Sequence, residues 1–146
     1  SLPVAPGSVW VALDDVTLEN GSMGYIPDSH REQTLHSHHT DSGSHLALNH
    51  VLDSDHVVAS EARYNVLEAG QFSLHDVYLT HGSNPNRSAR RRAGLAIRYL
   101  PGSSLFDRNA SDGVSSIGYA VDFAKRPIWL LRGKDLTGQN DFDIGH

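Results

Sequence analysis

The run Gly70-Gln-Phe-Ser-Leu-His-Asp-Val-Tyr-Leu-Thr-His-Gly-Ser83 carries two imidazoles in an otherwise strand-like stretch. In an extended chain, side chains two apart share a face, so His75, Val77, Leu79 and His81 are predicted to point the same way. That face is mostly apolar and therefore interior. His81 falls at its end beside Gly82, where a neutral, partly shielded imidazole suits iron. In the next predicted strand, Arg92 alternates with Gly94 and Ala96 on one face, and Arg91, Ala93, Leu95 and Ile97 take the other. An arginine followed by small residues leaves room for a ligand, and its planar fork holds a carboxylate through two hydrogen bonds. A histidine ligand with an arginine one strand later is what a metal site needs to hold a dicarboxylic acid against its ion.

The elements that must position these groups read as strands. Ser8–Leu13 is short, apolar and β-branched and ends in Asp14-Asp15, a turn pair. Glu19-Asn20-Gly21 is a turn signal, and Met23–Ile26 reads as a second strand stopped by Pro27. Residues 28–50 show neither period and are expected to form a long loop. Val57–Leu67, Phe72–Thr80 and Gly94–Tyr99 are expected strands, residues 101–116 a loop, Ile128–Leu131 a last strand and Gly133–His146 a polar tail. No stretch reads as an amphipathic helix. Short strands between turns predict an all-β sandwich or barrel, with a jelly roll ahead of an immunoglobulin-type sandwich because the loops are long and the histidines adjoin strands.

With 146 residues the chain is expected to form one domain, spanning 1–146. A net charge of -5 gives no reason to expect a nucleic acid or an anionic membrane as partner. The absence of cysteine excludes disulfides, thiolate metal sites and cysteine nucleophiles. No run reaches the length of a membrane span and residues 1–20 lack the pattern of a secretory signal, so a cytoplasmic protein is the expectation. Ten histidines raise the prior for a metal site without locating it.

Four segments, in order and approximate spacing, resemble the phytanoyl-CoA dioxygenase family: Val9–Asp15, Glu19–Arg31, Gly70–Ser88 and Arg92–Tyr99. The tail Pro127–Asp135 is similar to that of bacterial members. The resemblance implies a double-stranded β-helix (jelly roll) and an iron(II)- and 2-oxoglutarate-dependent oxygenase, a hydroxylase of a small or lipid-like substrate, with a halogenase as a variant. It implies His81 as the distal iron ligand, Arg92 as the arginine on the far carboxylate of 2-oxoglutarate, Ser83 as its assistant, and Trp10 beside the cosubstrate. The family's other two ligands form a His-x-Asp pair on a strand before the Trp10 segment. That strand would end at or before residue 1, so the resemblance implies a jelly roll incomplete at its N-terminus. Such a fold would expose a sheet edge, and homodimerisation through that edge is expected. The rival reading is a non-catalytic jelly-roll module that keeps the fold without bound iron.

Plainer readings stand beside these. His39-Thr-Asp41 has the letters of the missing pair but lies in the unpatterned loop, and it reads as a chance match. His75 has no counterpart among the implied ligands and reads as a hydrogen-bonded core histidine. His30 sits in a structural turn. The loop histidines His36, His38, His39, His45, His50 and His56 read as solvated, and the Arg87–Arg92 cluster as one functional arginine among solvated ones. Asn20, Asn86 and Asn109 begin glycosylation sequons by pattern alone.

Overall fold

A computed structural model describes residues 6–34, 38–40, 50–52, 59–109 and 122–145. It holds two three-stranded antiparallel sheets and a separate hairpin. In the first sheet, β1 (Gly7–Ala12) is central, between β6 (Phe72–Asp76) and β8 (Gly94–Tyr99). In the second, β2 (Met23–Tyr25) lies between β5 (Arg63–Tyr64) and β7 (His81–Ser83). β3 (His38–Thr40) and β4 (His50–Leu52) form the hairpin, with His39 opposite Val51. The expected loop over 28–50 thus contains a strand and a turn of 3-10 helix, Ser29–Glu32. Asp41 lies outside the described residues.

β1 forms because Val9, Trp10 and Val11 suit a pleated surface with a neighbour on each side. Its register places Ser8 between His75 and Arg98, and Trp10 between Ser73 and Ala96. One face of this sheet therefore carries Ser8, Trp10, Ser73, His75, Gly94, Ala96 and Arg98. The opposite face carries Phe72, Leu74, Leu95, Ile97 and Tyr99, all exposed, Leu74 to 69%. Past β1 the ladder continues through Leu13 N–H to the Ala93 carbonyl (3.0 Å), and the buried Val16 bridges Leu67.

Two expected strands are shorter than predicted. The stretch 57–67 yields a 3-10 turn at Ala59–Glu61, the two-residue β5 and the Leu67 bridge. Its partner β2 explains this, since Gly21 (φ 90) and Pro27 confine β2 to three residues and an antiparallel ladder cannot outrun its partner. The predicted strand Phe72–Thr80 breaks after Asp76. The Asp76 carboxylate accepts the Tyr78 amide (2.6 Å) and its carbonyl accepts the Leu79 amide (3.2 Å), an Asx turn that competes with the ladder. β7 then belongs to the other sheet. Ile128–Leu131 joins no ladder among the described residues. The tail is held instead by side-chain knots: Arg108 donates to the carbonyls of Arg126 (2.8 Å) and Asp141 (2.7 Å), and Asn140 ties Ser104, Phe106 and Asp135 together.

The approach to β8 is set by local polar groups. Asn86 accepts from Ser88 and donates to the Arg90 carbonyl (2.7 Å), shaping the loop after β7. Gly21, which is buried, packs under that loop, where a Cβ would meet the Asn84 carbonyl at 2.6 Å. The buried Asn20 secures the facing turn by accepting the Thr17 amide (2.7 Å) and donating to the Asp15 carbonyl (2.8 Å). The Asp14 carboxylate then takes two hydrogen bonds from Arg91 (both 2.8 Å) and one from the Ala93 amide (2.8 Å). Those bonds, from Arg91 first and then Ala93, hold the Asp14 pKa at about 2. Asp14 thereby joins the end of β1 to the start of β8.

Two outcomes follow from this framework. Gly94 lies against the Trp10 indole, and any Cβ there would collide with the ring. Gly94→Ala is expected to lower stability by about 1–3 kcal/mol in urea unfolding, whereas Gly82→Ala, where a Cβ meets nothing within 4 Å, is expected to stay within about 0.5 kcal/mol of the parent. The Asp14 clamp also predicts an acid response. Because the folded-state pKa lies below the free value of 3.8, the clamp's contribution is complete above pH 3.8 and is lost as pH falls towards 2. Asp14→Asn should therefore remove part of the stability loss measured across that window.

Candidate functional site

The face bearing Trp10 and His75 is turned towards the second sheet, as one contact shows: the His75 and His81 rings lie 4.7 Å apart between centroids, tilted by 53°. The sequence places these two histidines on one face of a single strand. The structure brings them together by another route, with the Asp76 turn carrying the chain from the first sheet to the second. Ser29 sets where β7 begins. Its hydroxyl donates to the Ile26 carbonyl (2.9 Å) and accepts the Thr80 amide (2.9 Å), while the Ile26 amide reaches the Thr80 carbonyl (3.0 Å). The segment Pro27–His30, read from sequence as a plain turn, is thus the strut beneath His81.

His81 is exposed and its Nδ1 lies 2.6 Å from the Leu79 carbonyl. A carbonyl only accepts, so Nδ1 carries a proton, and in the neutral ring this leaves the Nε2 lone pair open to a metal, the arrangement by which a second partner orients a ligating imidazole. His75 is half-buried, and its buried Nδ1 has no hydrogen-bond partner, contrary to the hydrogen-bonded core histidine expected from sequence. Burial, then the nearby His81 and Arg98, push its pKa below the ordinary 6.5, so the ring is neutral at physiological pH.

The three consecutive arginines do three different things. Arg91 is bound to Asp14, and Arg90 donates to the Thr17 hydroxyl (3.2 Å) with Glu19 at 4.0 Å. Both side chains remain exposed, as expected of solvated charges, and both are also tied to the end of β1 and its following turn. Arg92 is half-buried, has no carboxylate partner among the described residues, and lies over Trp10 with its guanidinium carbon 5.5 Å from the ring centroid. Burial pushes the Arg92 guanidinium below its ordinary value, yet a guanidinium remains charged. A desolvated cation on an aromatic face with no counter-charge is the environment a ligand carboxylate would complete. Ser83 ends β7 opposite Met23 and is exposed.

Trp10 and Ser8 are two residues apart on one face, about 7 Å along the strand, and Ser8 pairs with His75. Arg92, over Trp10, and His75, beside Ser8, therefore lie at neighbouring positions on one face of the first sheet. For a dicarboxylic acid, Arg92 and Trp10 fit. For iron the fit is partial: His81 offers Nε2, but among the described residues no three His, Asp or Glu side chains converge. His39 contributes backbone to β3 only as far as the structure describes it. No helix among the described residues is long and apolar enough to cross a membrane.

Comparison with known proteins agrees with this architecture. A family model described as phytanoyl-CoA dioxygenase (PhyH) matches residues 4–94, which span β1 to the first residue of β8. The chain is 26% identical over 104 residues to a phytanoyl-CoA dioxygenase domain-containing protein 1 homolog of Dictyostelium discoideum, covering 70% of this chain and 37% of that protein. It is 29% identical over 90 residues to a probable alpha-ketoglutarate-dependent hypophosphite dioxygenase of Stutzerimonas stutzeri, covering 61% and 32%. The crystal structure of EvdO2 from Micromonospora carbonacea var. aurantiaca, complexed with 2-oxoglutarate, superposes with a TM-score of 0.53 at 28% identity, covering 64% of this chain and 37% of that one. The chain thus spans about a third of the length of these relatives, and its sheets correspond to part of the double-stranded β-helix of 2-oxoglutarate oxygenases. With 91 of its 146 residues inside the family model, the chain belongs to the phytanoyl-CoA dioxygenase (PhyH) family.

Proposed function

We propose that this chain supplies the cosubstrate side of an iron(II)- and 2-oxoglutarate-dependent oxygenase that hydroxylates a small or lipid-like substrate. The observation that carries the reading is Arg92: half-buried, charged, stacked on Trp10 and paired with no carboxylate among the described residues. Its fork receives the far carboxylate of 2-oxoglutarate through two hydrogen bonds, with the Ser83 hydroxyl as an additional donor. Trp10 holds the guanidinium plane and shields the carboxylate from water, which strengthens the charge pairing. His81, its Nδ1 proton tied to the Leu79 carbonyl, presents Nε2 to the metal. When bound, iron supplies the activation of dioxygen that couples loss of carbon dioxide from 2-oxoglutarate, leaving succinate, to insertion of one oxygen atom into a substrate C–H bond.

One observation favours a second reading, a jelly-roll module without iron: no three ligating side chains converge among the described residues. Anaerobic titration with iron(II) and 2-oxoglutarate separates the two. The oxygenase reading expects the weak visible charge-transfer band of a chelated pair, lost in both His81→Ala and Arg92→Ala. A folded chain that gives no band is the module.

A further inference from the structure

We infer that Arg98 anchors an anionic group of the substrate, a carboxylate or a phosphate held by its guanidinium fork at the far end of the face from Arg92. The inference rests on the reading of Arg92 as the cosubstrate arginine and deepens it by naming the substrate class, a small organic acid or phosphate ester. Gly94, Ala96 and Arg98 share the face of β8 on which Trp10 lies. Arg92, over the Trp10 ring, precedes this row and Arg98 ends it. At the rise of a strand, six residues separate the two cations by about 20 Å. Between them this face of β8 offers only a glycine and an alanine, so its floor is open.

The register fixes what surrounds Arg98. It lies opposite Ser8, and Ser8 lies opposite His75 on the far strand. Two interstrand steps, about 10 Å, therefore separate Arg98 from His75, whose ring meets that of His81 at 4.7 Å. Arg98 thus belongs to the His81 end of the face, while Arg92 sits one pair of residues further along, on Trp10. A cosubstrate reaching from Arg92 towards His81 leaves Arg98 for a second molecule.

Nothing acidic competes for that guanidinium. Neither residue in its row, Ser8 or His75, carries a negative charge, and among the described residues no carboxylate pairs with Arg98. Asp76, next along β6, falls on the opposite face by alternation and accepts the Tyr78 amide. Arg98 is exposed, so a substrate reaches it from solvent, whereas Arg92 is half-buried. The rest of the face is polar as well: Ser73 Oγ and His75 Nδ1 are buried there without a partner, while Phe72, Leu74, Leu95 and Ile97 take the outer face. A face turned to a second sheet for packing alone would carry the apolar set. A polar one with a cation at each end suits two anionic guests, each taken by an arginine through paired hydrogen bonds.

The test follows the arginine Nε–H resonances of the whole chain. The chain is first saturated with 2-oxoglutarate to occupy Arg92, then titrated with octanoate and, separately, with inorganic phosphate. The inference expects one of these anions to shift the Arg98 Nε–H and the Ser8 amide in a single saturable step, with Arg92 unmoved. Tighter saturation by octanoate assigns a carboxylate, and by phosphate a phosphate ester. Arg98→Gln, at an exposed position, should weaken the step seen at the Ser8 amide by about tenfold or more, the worth of a hydrogen bond to a charged group, and leave 2-oxoglutarate binding within about twofold of the parent. If neither anion moves Arg98, or if it moves no more than the exposed Arg63, the Arg98 assignment is overturned and Arg92 stands. If 2-oxoglutarate fails to shift Arg92 in the first step, the cosubstrate reading fails and this inference falls with it.

Discussion

A single carboxylate distributes the charges of this chain. Asp14 sits at the bend after β1 and accepts both nitrogens offered by Arg91 as well as the Ala93 amide. It thereby fixes where β8 starts relative to β1. Arg90 turns to Thr17 and Glu19 on the same side. With these acids engaged, Arg92 comes to lie on the alternate face, against Trp10, with no carboxylate partner among the described residues. The exposed pair Arg91–Asp14 contributes little stability by itself. Its value lies in register, since a slip by one residue would exchange the faces on which Arg91 and Arg92 lie.

The second constraint is the absence of a side chain at Gly94. Trp10 on β1 occupies the space over that residue, and the Arg92 guanidinium lies over the indole. β1 and β8 are thus complementary in volume, a large ring on β1 lying beside Gly94 and Ala96 on β8. Across the gap, the second sheet is placed by shorter-range bonds. The Ser29 hydroxyl catches Thr80, the Asp76 turn reverses the chain, and the two histidines meet as a result.

Much of this was legible in the residues. The β-branched run at 8–13, the Asn20-Gly21 turn and the alternation of 94–99 each give the observed element within a residue or two, and the alternation places Arg92 with Gly94 and Ala96. Strand lengths were not legible, because a strand extends no further than its partner: β5 can run no longer than the three-residue β2. The break at Asp76 had a visible signal, an aspartate able to accept its own backbone amide two residues on, but the apolar alternation around it outweighs that signal on paper. Asn86, legible only as a glycosylation pattern, is a loop organiser. The unpartnered nitrogen of His75 is a property of packing between sheets, which no periodicity along one strand contains.

The central claim is that Arg92 awaits a dicarboxylate. Its side-chain Nε–H resonance reports on that directly. The account predicts that 2-oxoglutarate shifts this resonance and slows its exchange with solvent, saturably, while the Nε–H of Arg91, already held by Asp14, stays unmoved. An Arg92 resonance that ignores 2-oxoglutarate, or that moves no more than those of Arg90 and Arg91, would contradict the account.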